Sequence, residues 1–151
     1  MSPTQSQLTL MSICDAIAAA LEDVTGIARV QSYDELTGGM NTYPTAQVYV
    51  EDVRPVSDTQ MDALQRGIQR LSITVHVDIL CAQANGPGIG EVHGKMTEIF
   101  EDVVTMFQQQ KRPYFSLDGI KRMTWHGYRA VFQYANFFYP SLRFVLTLET
   151  F

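Results

Sequence analysis

Residues 71–81 read LSITVHVDILC. Ile73, Val75, Val77 and Ile79 alternate with Thr74, His76 and Asp78. A period of two puts the four branched residues on one face of a strand and the three polar ones on the other. One face is therefore core, and the other meets solvent or a partner. The stretch TAQVYVEDV, introduced by Pro44, repeats the pattern, with Ala46, Val48 and Val50 alternating with Gln47, Tyr49 and Glu51.

Outward from these strands, the period changes from two to between three and four. Over Ser6–Thr25, Leu10, Ile13, Ile17, Leu21 and Val24 form the stripe of an amphipathic helix, and Gly26 is placed to end it. Over Glu91–Gln109, Val92, Met96, Ile99, Phe100, Val103 and Phe107 form a second. Three connections separate these elements: the long, weakly periodic Ile27–Tyr43 with Gly38-Gly39, the polar stretch 54–67, and AQANGPGIG. LDGIKRMTW and the residues after it add further strands. No linker, repeat or low-complexity tract divides the chain. The pattern predicts a single α+β domain over residues 1–151, a mostly antiparallel sheet packed against two main helices.

The C-terminal stretch YRAVFQYANFFYPSLRF, Tyr128 to Phe144, concentrates the aromatics. Tyr128, Ala130, Phe132, Tyr134, Phe138, Leu142, Phe144, Leu146 and Leu148 all carry even numbers. Two strands broken near Tyr139-Pro140-Ser141 would turn these residues to the core. Phe137 and Tyr139 have the other parity and are expected to be aromatic anchors for a protein contact.

Composition narrows the function classes. Hydrophobic residues are 46% and charged residues 18%, which is globular. No apolar run is long enough to span a membrane, and the N-terminal segment lacks the basic flank of a signal peptide. The net charge of −5 argues against tight gripping of duplex DNA. It is unevenly placed: residues 1–60 hold eight acids against Arg29 and Arg54, and residues 61–151 hold eight acids against nine bases. Cys14 and Cys81 are too few and too far apart for a disulfide framework or a metal clip, and read as small buried hydrophobes.

Motifs that carry chemistry are missing or incomplete. GPGIGEVHGKM is not a phosphate loop, because Ile89 occupies the required glycine and Met96 the required Ser or Thr. A dinucleotide fingerprint from Gly86 fails at Glu91. His76 and Asp78 share a strand face, a placement compatible with general base catalysis or half a metal site, but His93 and His126 stand in no spacing relation to them. Trp125, His126 and the aromatic belt offer rings for stacking bases, with few interleaved cations.

The order of elements resembles the tail terminator, or tail completion, proteins of long-tailed bacteriophages and related contractile particles. The resemblance lies in the first helix running into VTGIARV, the proline-led strand YPTAQVYVED, the strand LSITVHVDIL, the helix EVHGKMTEIFEDVVTMF and the late strand SLRFVLTLE. It covers nearly the whole chain. It implies a non-enzymatic structural protein of the virion neck, assembled in the host cytoplasm without cofactor, metal or membrane. It further implies a ring, hexameric in the family, that caps the tail tube, ends its polymerisation and joins it to the head connector. The resemblance also implies that DNA passes through the lumen without specific binding. On this reading the acid-rich and base-rich parts of the chain supply complementary faces of a heterologous ring contact. The loop tip Gly38, Gly39 and Met40, with Phe137 and Tyr139, is the expected interface. Another neck or head-completion protein, a small-molecule domain using His76 and Asp78, and a single-strand nucleic-acid binder using Trp125 remain alternatives.

Overall fold

A computed structural model describes residues 8–32, 43–56, 70–82, 89–134 and 137–151. Gly38, Gly39 and Met40 lie outside the described residues, as does most of the connection before Arg70. The elements are α1 (Leu10–Glu22), β1 (Arg29–Gln31), β2 (Thr45–Pro55), β3 (Leu71–Leu80), α2 (Ile89–Gln108), β4 (Ile120–Tyr134) and β5 (Phe137–Thr150). The strands form one sheet in the order β1-β2-β3-β5-β4. Only the short β1–β2 pair is parallel; the other pairs are antiparallel. The fold is α+β, as the periodicities predict.

Helix α1 starts where its side chains satisfy its first amides. Thr9 Oγ1 accepts from the Ser12 N–H at 3.0 Å, and Ser12 Oγ accepts from the Thr9 N–H at 2.9 Å. This reciprocal cap begins the helix at Leu10, the first residue of the periodic stripe and later than the expected start at Ser6. The helix also stops before Gly26, with Asp23 as its C-cap. Gly26 serves a different purpose: a Cβ there would lie 2.8 Å from Ile99 Cγ1, so this turn approaches α2 closely.

Both helices cover one face of the sheet. Ile13, Ile17 and Leu21 of α1 join Ile99, Val103 and Phe107 of α2 over Val48, Val75, Val77, Phe144 and Leu146, all buried. The alternation read in β2 and β3 is correct, with its apolar members in this core. Two extents differ. Arg54 and Pro55 continue β2, pairing with Ser72 and Leu71. Within the stretch read as irregular, Arg29–Gln31 forms β1.

The C-terminal hairpin corrects the parity reading. Strand β5 runs unbroken through Tyr139-Pro140-Ser141. The chain reverses instead between Tyr134 and Phe137, which are paired. Two intervening residues give partners opposite parity, as in Trp125 with Leu146 and Gly127 with Phe144. The core face of β4 is therefore odd-numbered, and Tyr128, Ala130 and Phe132 lie on the other face, away from the helices. The Tyr134 side chain is not among those described. Gly127 permits the packing here, since a Cβ would fall 2.5 Å from Phe144 Cε1. The ring of Phe144 occupies that space, between Phe107 at 5.4 Å and Trp125 at 6.4 Å.

Candidate functional site

The face of the sheet opposite the helices holds the polar side chains that sequence reading singled out. Strand register aligns them in rows: Gln47, Asp78, Arg143 and Tyr128 in one, and Tyr49, His76, Val145 and His126 in the next. Directly opposed residues point to the same side of a sheet, so each row is a run of neighbours. Gln47 and Asp78 are buried, together with Thr45 and Ser141.

Asp78 is the centre of this cluster. Its Oδ1 accepts from Arg143 Nε at 2.7 Å, and its Oδ2 accepts from Arg143 Nη2 at 3.0 Å and from the Tyr49 hydroxyl at 2.6 Å. The paired geometry is the strong form of an arginine–carboxylate contact. It fastens β2, β3 and β5 together through side chains. Hydrogen bonding to Asp78 is the main reason the Arg143 pKa rises above its already high value, so its charge is permanent. The guanidinium also lies 4.7 Å from the centre of the Phe132 ring, a cation–π contact from β4.

His76 is beside this pair, its ring edge-on to Tyr49 at 5.6 Å and its Nδ1 3.5 Å from the Tyr49 hydroxyl. Burial lowers its pKa first, and the Arg143 charge lowers it further; Asp78 and Glu51 oppose both. The balance favours the neutral imidazole. Chemically, the cluster is a clamp: both Asp78 oxygens accept hydrogen bonds, and His76 adjoins the pair through the Tyr49 hydroxyl. Among the described residues, no group of three or more His, Cys, Asp or Glu side chains is placed to hold a metal ion.

The other candidates separate. Tyr139, expected as an exposed anchor, is fully buried, with its ring 6.4 Å from that of Tyr43. It faces away from the helices, as its parity requires, but that face is itself closed at this end of the sheet. Phe137 is half-buried. Trp125 packs against Phe107 and Phe144 on the helix-covered face, so its ring is part of the core contacts and does not form a stacking platform with His126. His126 instead stacks on Tyr128 on the opposite face, at 6.0 Å and 18°. His93 lies on α2 and accepts a 2.8 Å hydrogen bond from Arg129 Nη1. Cys14 and Cys81 are buried free thiols, and burial raises the pKa of Cys81 to about 11.

Sequence reading missed Tyr49 and Arg143 as partners of Asp78. A signal was present: a lone arginine in LRFVLTL and a lone aspartate in VHVDI, each within an alternating apolar strand. Their register supplies the pair.

A second kind of surface flanks the hairpin. Strand β4 is an outer strand, with β5 as its sole strand partner among the described residues. Its pairs from Val131–Pro140 to Tyr134–Phe137 extend past Leu80, where β3 ends opposite Ser141. At the base of this arm is a groove of about 250 Å³, lined by Met96, Arg129, Ala130, Val131 and Pro140. Among the described residues no helix is long and apolar enough to cross a membrane. No family model matches the chain, and no curated protein is significantly similar to it.

Proposed function

We propose that this chain is a structural subunit of a phage tail neck, forming a ring that caps the tail tube and joins it to the head connector. The observation that carries the proposal is the β4–β5 hairpin. Strands of 15 and 14 residues are much longer than the usual five or six, and one long edge is left without a strand partner among the described residues. An uncovered edge with exposed Tyr128 and Val131 beside it is a surface made for contact with another chain. The succession of α1, β2, β3, α2 and the hairpin, with short β1 added between α1 and β2, supports the same reading, because these are the elements on which the family resemblance rests.

The polar clamp fits this role as a brace. Asp78, Arg143 and Tyr49 tie the hairpin to the centre of the sheet, so force applied to the arm is transmitted into the body of the domain. In this function no group needs to be free for chemistry, and rigidity is what the site supplies.

The test is electron microscopy of tubes polymerised from tail tube protein with and without this chain. The expected result is a ring of density at one tube end and an arrest of further growth. Tubes that grow to the same lengths and carry no terminal density would refute the proposal.

A further inference from the structure

Two of the described elements carry charge of one sign each. Helix α1 and its cap carry Asp15, Glu22 and Asp23 and no base, and these acids are exposed. Strand β4 carries Lys121, Arg122 and Arg129 and no acid. A basic outer strand discourages pairing of two β4 edges with each other, since like charges would meet. It favours an acidic partner.

Exposed apolar side chains occur at the same two places, besides Val53 and Phe151. Leu10 and Met11, the latter 59% exposed, stand on the first turn of α1, and Val131, 47% exposed, stands beside the groove at the base of the hairpin arm. Within one chain these places cannot meet. The Leu8 side chain, just before α1, lies against Gly119 at the start of β4. Val131 is twelve residues further on, about 40 Å along an extended strand. A patch at one end of the sheet and a receptor at the other describe a head-to-tail contact between copies.

We propose that the groove lined by Met96, Val131 and Pro140 receives Met11 from a second copy of this chain, with Asp15 of that copy paired to Arg129. Met11 and Asp15 are four residues apart, so they lie on one helix face about 6 Å from each other. This matches an apolar groove with a cation at its rim. Arg129 donates one hydrogen bond to His93, and a guanidinium has five donors to share. Among the described residues no ion pair engages Asp15. The inference rests on the ring reading for self-association only, and it names which surfaces make the contact.

The experiment measures self-association of the full chain by sedimentation velocity at low and high salt, with circular dichroism melting to establish folding. Asp15→Arg and Arg129→Asp should each weaken association about tenfold or more, and the double exchange should restore most of it. Met11→Ser and Val131→Asp, both at exposed positions, should weaken association while leaving the melting temperature within a few degrees. Association should also weaken in high salt. The inference is overturned if the charge reversals associate like the parent, if the double exchange restores nothing, or if the parent chain stays monomeric at its highest soluble concentration. It is overturned equally if the variants lose binding to tube protein while self-association is unchanged, which would assign the groove to that partner. Tube capping by a ring with unaffected variants would leave the functional proposal intact and remove this one.

Discussion

The two faces of the sheet bury side chains by different means. Under the helices, Val75, Val77, Phe144 and Leu146 pack with Ile17, Leu21, Val103 and Phe107, and the stabilisation scales with apolar area. On the opposite face, the same strands bury Thr45, Gln47, Asp78 and Ser141. There burial of polar groups is tolerated where they are hydrogen-bonded: Ser141 Oγ donates to the Tyr139 carbonyl, and Asp78 owes its place to Arg143 and Tyr49. The contrast teaches that alternation marks chemistry, not exposure. A polar residue in a half-apolar strand can be as inaccessible as its neighbours.

Substitutions can break this contrast face by face. Phe144→Ala should have the largest effect, about 3–5 kcal/mol, because it empties the centre of an aromatic cluster. Urea unfolding of the purified variant measures it. Asp78→Ala should follow at about 2–3 kcal/mol, since it leaves the Arg143 charge and the Tyr49 hydroxyl without their acceptor. Removing both ends, as Asp78→Ala with Arg143→Leu, should cost less than the sum of the two single changes. Additive losses would mean that the clamp contributes no coupling. Phe132→Ala should cost only about 1–2 kcal/mol, for a half-buried ring over a guanidinium. A loss as large as that of Phe144→Ala would place Phe132 in the main core after all.

The smallest effect separates the faces by pH. The folded-state pKa of His76 lies below its ordinary 6.5, chiefly through burial. Its contribution to stability is therefore complete above about pH 6.5 and is lost as pH falls towards the folded value, where the unfolded chain binds more protons. Stability curves of the parent and His76→Gln should diverge in that window and run parallel above it. Parallel curves throughout would show that the imidazole is not held neutral.

Much of the helix-covered face was legible because branched residues at fixed period have one stable use. The cores of β2, β3, α1 and α2 could be read largely from period, except that Leu10, placed in the α1 stripe, is 44% exposed, and the Val92 side chain lies outside those described. What could not be read is pairing. Whether β4 faces the core with its odd or even residues depends on where the chain reverses, and moving the turn from Tyr139-Pro140 to between Tyr134 and Phe137 exchanged the faces of Trp125 and Phe132. The same shift put Tyr139 within β5, not at a turn. The clamp was half visible, since Asp78 and its face were found while the partner Arg143, 65 residues away, required the β3–β5 register. Short β1 escaped notice because three residues show no period.

The most direct test of the account is the mass of the intact particle formed by this chain, alone and mixed with tail tube protein, measured by mass photometry. A structural ring subunit predicts one assembly of fixed subunit number, hexameric by the proposed ring, that persists on dilution and joins the ends of tubes. A chain that remains a monomer both alone and in the presence of tube protein would contradict it.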